Sequence, residues 1–276
     1  MLFHRLADRL RMDGHSVVAH IDAKAESEPF ARDDVRFVGR RVLVTWGGYS
    51  QVEAMTRLLE DGLASSPEAT HLVFLSGQDY PARPLSEFVA LLKEDPTRIH
   101  MQWHDTSLPT AQFPNIPREW CSLDLYGHFP WNVEPLASKI TRRFLPPREM
   151  PDGYTPYRGS TFWALPRDAA EYIVSFLRGN GSRRVRWWLK TIRIPDEIAF
   201  QTILGNSPLR QRITGWPNNP PRWAPFHYID WSPAREDPAI LDETDLDAVR
   251  KRGAFFVRKV EQERSATLLD ALDASL

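Results

Sequence analysis

Two short stretches concentrate side chains able to move protons and to hold phosphate. "IPDEIAF" sets Asp196 and Glu197 side by side just after Pro195. A carboxylate fixed there on a rigid element can take a proton from a hydroxyl as a general base. Two acids in a first helical turn also interact favourably with the helix dipole, by ~0.3–1 kcal/mol each. The residues alone leave both readings open. "FFVRKVE" places Arg258 and Lys259 straight after two phenylalanines. Strand alternation sends these two cations to opposite faces. One directed into a cleft would offset the charge of a phosphate leaving group; the alternative is edge-strand charge that discourages aggregation. A third stretch, "HLVFLSGQDYP", runs apolar from Leu72 to Leu75 and stops on Ser76-Gly77-Gln78-Asp79. Loops at strand ends are where α/β enzymes keep their chemistry.

Other chemistries find less support. His100 and His104 lie four apart, which in a strand puts both imidazoles on one face, with Asp105 adjacent. No H-E-x-x-H and no second ligand cluster accompanies them, so no metal is expected. Asp245 and Asp247 fall in a polar helical pattern and read as a solvated face. There is neither a G-x-G-x-x-G after a strand nor a P-loop motif, which leaves a dinucleotide or P-loop site unsupported. A nucleotidyltransferase would need a carboxylate pair for magnesium and a basic Gly-rich loop, and neither is present.

The elements that must position these groups follow from periodicity. Val17 to Ile21 reads as a strand ending near Asp22, and Val42 to Val44 as another before Trp46-Gly47-Gly48. "YSQVEAMTRLLEDGL" then takes helical spacing, with Ser50 and Glu53 spaced as a capping box. Further strands are read in "RIHMQWH", "GSTFWALP", "FHYIDW" and "AFFVRKV", and helices in "PLSEFVALLKEDP", "RDAAEYIVSFLRGN", "SRRVRWWLKTIR", "PDEIAFQTILGNSP", "DETDLDAVRKR" and the tail after Glu261. Strands alternating with helices predict an α/β fold with a mostly parallel sheet covered on both faces. Strand ends running in one sense would gather at the carboxyl edge of that sheet, where such folds bind ligands. Residues 105–157 break the pattern except for a helix near "PLASKITRRFL", and long irregular insertions are usually functional.

The 276 residues are enough for one large core, and the net charge of −1 supplies no basic field for general nucleic-acid binding. Cys121 is the sole cysteine, so no intrachain disulfide forms and a reducing compartment is expected. No run approaches the ~18 apolar residues of a transmembrane helix. The opening "MLFHRLADRLRMDG" is an amphipathic helix rather than a signal peptide. These features predict a cytoplasmic protein, peripheral at a membrane at most. Ten tryptophans are many for this length; core filling is the ordinary role of each, and Trp46, Trp163, Trp223 and Trp231, beside loop signals, are the better candidates for stacking on rings.

Six stretches in register, "HIDAK", "TWGGYSQVEAM", "LSGQDYPARP", "YRGSTFWALPRDAAEYI", "PDEIAFQTILGNSP" and "FFVRK", resemble the core-2/I-branching glycosyltransferases, the β-1,6-N-acetylglucosaminyltransferases grouped with the peptide O-xylosyltransferases. The resemblance runs from about His15 to Val260. It implies a GT-A type, Rossmann-like fold and inverting transfer of a sugar from a UDP-sugar to a hydroxyl of a glycan or glycoconjugate acceptor. N-acetylglucosamine is favoured and xylose second. It also implies no metal cofactor, basic side chains taking the cation's place. Carried over by motif, Glu197 is the general base and Lys259, beside Arg258, meets the diphosphate, with Arg235 the nearest candidate for a further arginine. His20 and Asp22 face the nucleotide, and Ser76, Gly77, Gln78 and Asp79 form the loop beside the donor. Gly159, Ser160 and Trp163 line the acceptor side, and Tyr228 and Trp231 stack on sugar. One domain over residues 1–276 is expected: 1–104 holding the nucleotide-sugar, 105–157 as acceptor-side insertion, and 158–276 carrying base and diphosphate contacts. Family members open with a strand before the helix that starts here at Met1, so the sheet is expected to lack a member beside the nucleotide. A non-catalytic nucleotide-sugar or glycan binder derived from such an enzyme is the competing class.

Overall fold

The computed structural model describes residues 1–106, 120–126, 140, 143–146, 148–221, 226–232, 235 and 238–276. Short strands alternate with helices along the chain. First come α1 (Leu2–Met12), β1 (Val18–Ala19), β2 (Arg36–Phe37), α2 (Tyr49–Ser65), β3 (His71–Val73), β4 (Asp79–Pro81) and α3 (Leu85–Glu94). Next are β5 (His104–Asp105), α4 (Leu123–Tyr126), β6 (Tyr157–Arg158), β7 (Ala164–Pro166), α5 (Arg167–Arg178), α6 (Arg183–Leu189) and α7 (Ala199–Gly205). The last are β8 (His227–Ile229), α8 (Leu246–Arg252), β9 (Phe256–Arg258) and α9 (Ala266–Asp273).

The expected α/β class is present, with mixed pairing. β1–β2 and β8–β9 are parallel, whereas β3–β7, β4–β9 and β5–β6 are antiparallel. The parallel share is smaller than the alternation suggests. β7 and β9 come from the second half of the chain and run back against β3 and β4, instead of arriving through a βαβ crossover. No ladder joins β1 to β3 among the described residues: β1 pairs with β2 and β3 with β7. The space between them is a slot lined by Val17 to Ile21 on one side and His71 to Leu75 on the other, with Leu2 and Leu6 of α1 beside it.

Three local expectations are corrected. Val42 to Val44 is not a strand; its backbone is held instead by the end of β1, through Val42 N–H to His20 Nε2 (2.8 Å) and Val44 N–H to Asp22 Oδ1 (3.3 Å). Ser50 and Glu53 form no capping box, because α2 begins two residues earlier than that pattern implies, with Gly48 as N-cap. That leaves the Ser50 hydroxyl to accept from Thr45 N–H (2.8 Å) and donate to Asp124 (2.6 Å). The helix expected from Pro195 is a 3₁₀ turn, Pro195–Glu197, broken from α7 at Ile198, and Gly205 is its last residue rather than its stop. The helix read near "PLASKITRRFL" lies largely outside the described residues.

The main core joins α2 and α5 to the strands beneath them. Val52, Met55 and Leu59 of α2 meet Ala169, Ala170, Ile173 and Leu177 of α5 over Trp163, Leu165 and Phe200. A second cluster packs α1 and α9 on β4 and β9 through Leu2, Leu6, Tyr80, Val257, Leu268 and Leu272. A third sets Phe88 of α3 against Phe226, Phe255 and Phe256, with ring centroids 4.7, 5.1 and 5.3 Å away. Ile173 is fully buried at the centre of the first cluster. Ile173→Ala is expected to cost ~2–5 kcal/mol, transfer plus cavity. Urea unfolding that shows a lower midpoint at unchanged slope would bear this out; no shift in midpoint would contradict it.

Candidate active site

A cavity of about 2080 Å³ runs from the slot between β1 and β3 into a polar cleft. Small-molecule sites usually measure ~300–1,000 Å³; here two spaces are joined. The cleft is lined by His20, Asp22, Ser76, Gly77, Gln78, Gly159, Ser160, Glu197, Trp231, Arg258 and Lys259, residues that lie far apart in sequence.

One wall is built on β4 and β9. Their register places Asp79 opposite Arg258. Asp79 is completely buried and does not line the cleft; it lies behind the lining. It accepts from Ser76 N–H (2.5 Å), Ser76 Oγ (3.0 Å) and Arg258 Nη1 (3.1 Å), and the same guanidinium nitrogen donates to Ser76 Oγ. His227 Nε2 lies 3.5 Å from Asp79 Oδ2, within ion-pair reach but without hydrogen-bond geometry. The imidazole sits between the Phe162 and Phe256 rings, 4.2 and 5.3 Å away. Burial pushes the Asp79 carboxyl up, but His227, the Arg258 charge and the Ser76 amide outweigh it and hold it below its ordinary range. Asp79 therefore stays ionised and pins the Ser76 loop and Arg258 together. The chain continues to Lys259, whose Nζ is 3.3 Å from Glu261, and Val260 N–H closes the wall on Gln78 O at 3.0 Å.

A second wall holds the two strand-end residues. His20 Nε2 accepts from Val42 N–H, and burial pulls the imidazole below its ordinary pKa, so it is neutral at pH 7. Asp22 binds the backbone N–H of Lys24 (3.0 Å) and Val44, and lies 3.4 Å from Lys24 Nζ.

The third wall carries the carboxylates. Ile194 enters their turn in the left-handed region (φ 52°, ψ 52°). That backbone costs a β-branched residue ~1–3 kcal/mol. Its N–H donates to Gly47 O (2.9 Å), which helps to hold it there. Glu197 Oε2 accepts from both Nε and Nη2 of Arg158, at 2.9 and 2.6 Å, while Oε1 takes no hydrogen bond among the described residues. Glu197 O accepts from Gly159 N–H at 2.9 Å. Gly159 has a structural reason to be glycine: a Cβ there would lie 1.9 Å from Gln102 O. Ser160 is tied on both sides, N–H to Gln102 Oε1 and O from Gln201 Nε2. Asp196 is 5% exposed, with Thr161 Oγ1 3.2 Å from Oδ2 and no partner for Oδ1. Burial, and then the neighbouring Glu197 charge, push its carboxyl up to about 6.

Three residues expected in the site stand elsewhere. Arg235 binds Asp245 (2.6 Å), Asp230 (3.3 Å) and Ile240 O (2.6 Å), so its guanidinium is committed away from the cleft. Tyr228 packs against the cluster of α1 and α9. Trp163 borders the cavity but is 2% exposed, stacked among Phe74 and Phe200 in the core, and offers no free face to a ring. Trp223 lies outside the described residues. His100 is half-buried against Phe226, and no group of three or more metal-ligating side chains occurs among the described residues. Arg158 was missed, because nothing local connects it to a carboxylate 39 residues on; its position next to Gly159-Ser160 was the available signal.

Fold and cleft together describe an α/β protein in which Glu197, Arg258 and Lys259 line one cavity. The chain belongs to the Core-2/I-Branching enzyme family, whose model matches residues 4–114 and 122–250. It is 28% identical to Xylosyltransferase 2 of Rattus norvegicus over 292 residues, covering 99% of this chain and 32% of that protein. It is also 28% identical to Xylosyltransferase 2 of Canis lupus familiaris over 291 residues (99% and 32%), and 24% identical to Xylosyltransferase of Ciona intestinalis over 285 residues (95% and 31%). The chain thus spans about a third of the length of the curated relatives it matches. No helix among the described residues is long and apolar enough to cross a membrane.

Asp196 makes the fold pH-dependent in a definite direction. Its folded pKa is raised to about 6, so the folded state binds more protons than the unfolded chain between about pH 4 and 6. Its contribution is most favourable below that window and is lost as pH rises through it. Asp196→Asn is expected to stabilise the protein at pH 8, by up to ~3 kcal/mol, and to change little near pH 4. Urea unfolding at both values is the check; equal effects at the two would contradict the assignment.

Proposed function

We propose that this chain is an inverting glycosyltransferase that moves a sugar from a UDP-sugar to an acceptor hydroxyl. The observation that carries this reading is that Glu197, with Oε1 open, lines the same cavity as Arg258 and Lys259. The acceptor oxygen attacks the anomeric carbon from the face opposite UDP as Glu197 takes its proton. The bond from that carbon to the β-phosphate oxygen breaks, and its electron pair leaves on UDP. Lys259 and Arg258 supply positive charge where the leaving diphosphate gains negative charge, the task for which no metal cofactor is proposed. Arg158 holds Oε2 and thereby aims Oε1. His20, Asp22 and the Ser76 to Gln78 loop form the remaining donor-side lining. The relatives' names favour xylose as donor sugar, whereas the motif resemblance alone placed N-acetylglucosamine first.

Glu197→Gln keeps size and loses the base. It is expected to leave UDP affinity intact while transfer, or donor hydrolysis to free UDP, falls by ~10²-fold or more. Turnover near the wild-type rate would remove Glu197 from this role. Lys259→Ala is expected to weaken UDP binding by about tenfold or more, the scale of a charge-assisted contact. Calorimetric titration with UDP, in excess EDTA, reads this directly, and an unchanged affinity would place the ammonium outside the diphosphate site.

A further inference from the structure

One surface feature has no part in sugar transfer. The run from Arg183 to Arg193 carries Arg183, Arg184, Arg186, Lys190 and Arg193 and no acidic residue, in a chain whose net charge is −1. Its first seven residues form α6, and the helix is two-faced. Val185, Trp188 and Leu189 are buried in the main core, whereas Arg183, Arg184, Trp187 and the following Lys190 are exposed. A single exposed apolar side chain needs no explanation. Trp187, at 56% exposure, has company. Trp120 packs edge-on against it with ring centroids 5.5 Å apart, and Trp120 Nε1 donates to Pro146 O at 2.9 Å. That bond brings up the segment bearing Arg143, Phe144 and Leu145, all exposed, Phe144 at 76% and Leu145 at 42%. Beneath them the buried Arg148 guanidinium lies 4.4 Å from the Trp120 ring centre and 5.3 Å from that of Trp187. Its Nη1 donates to Trp188 O (3.1 Å) and Thr191 O (2.7 Å), which fixes it to the end of α6. Apolar side chains are thus held at the surface among cations, on a support that binding need not assemble.

This combination meets both demands of an anionic bilayer surface. The cations are drawn to headgroup phosphates, and the apolar side chains enter the boundary between headgroups and acyl chains, where indole rings are favoured. A nucleic acid would use the same cations, but it needs rings for its bases to stack on, and Leu145 offers none. We propose that α6 and the segment around Phe144 form a docking surface for a membrane rich in anionic phospholipid. At seven residues α6 is far too short to span a bilayer, so it lies on the surface. The inference is independent of the sugar-transfer reading.

The test is co-sedimentation of the full chain with vesicles of phosphatidylcholine alone and of phosphatidylcholine containing about a third phosphatidylglycerol. Binding to the mixed vesicles is expected to be tighter by about tenfold or more, and to weaken as salt rises from about 0.05 to 0.3 M. Two double variants separate the contributions. Arg183→Gln with Lys190→Gln removes charge, and Phe144→Ser with Leu145→Ser removes insertion without touching the stack of Trp120, Trp187 and Arg148. Each should weaken binding to the mixed vesicles by about fivefold or more, with the urea midpoint of the wild type. Lipids brominated on their acyl chains should quench the tryptophan emission of the wild type more than that of Trp187→Phe. Equal binding to the two kinds of vesicle, binding indifferent to salt, double variants that bind like the wild type, or equal quenching would each overturn the proposal. So would binding to polyuridylate without binding to vesicles, which would make the face a nucleic-acid surface. A dimer in ultracentrifugation that the Phe144 and Leu145 variant converts to monomer would overturn it too, by showing that a second copy covers the face.

Discussion

The cleft wall built on β4 and β9 depends on one buried charge. Taking the Asp79 carboxylate out of water costs several kcal/mol. The cost is offset only because a backbone amide, a hydroxyl and a guanidinium converge on it, with an imidazole close by. Each of those groups is thereby fixed. Ser76 cannot leave without orphaning the carboxylate, and Arg258 cannot swing into solvent without the same penalty. The cross-strand register of Asp79 with Arg258 makes the arrangement possible, and Phe162 and Phe256 exclude water from the imidazole beside it. A residue that touches no cleft surface thus decides where a cation of the cleft can be.

The turn that carries Glu197 is positioned by a different means. Ile194 is held in a backbone conformation that β-branched residues avoid, and the carbonyl of Gly47 helps to keep it there. Gly159 admits the backbone of residue 102 at a distance no side chain would permit, and its N–H takes the carbonyl of Glu197. Arg158 then fixes one carboxylate oxygen. Backbone strain, a close approach and a two-pronged cation together leave Glu197 little freedom, which suits the proton-accepting role proposed for it. Asp196 carries the opposite design. It has one side-chain partner, an unmatched oxygen and a like charge beside it, and it costs stability whenever it is ionised.

Much of this was legible from residue spacing. Helical periodicity located α2, α3 and α5, and polar residues at strand ends marked Asp22 and Ser76 to Gln78, which line the cleft; His20, which also lines it, came only from the family resemblance. Local patterns failed where the answer depended on what approaches through space. Trp163 and Trp231 both stand beside loop residues, yet one is core and the other exposed, since exposure depends on what packs above each. Arg235 lies among charges like a cleft cation, but Asp230 and Asp245 claim it first. Alternation of charge says nothing about a partner already present.

The sequence by itself determined the α/β class, the acidic pair at a helical start and the basic pair after two phenylalanines, because each is written in neighbouring residues and in periods of two or 3.6. Only the tertiary structure decided that Asp79 lies behind the wall, that Arg158 grips Glu197, that the parallel pattern gives way to mixed pairing, and that β1 and β3 belong to separate ladders. Those outcomes turn on register and on burial shared by segments far apart in the chain, and neither is encoded in the spacing of any one segment.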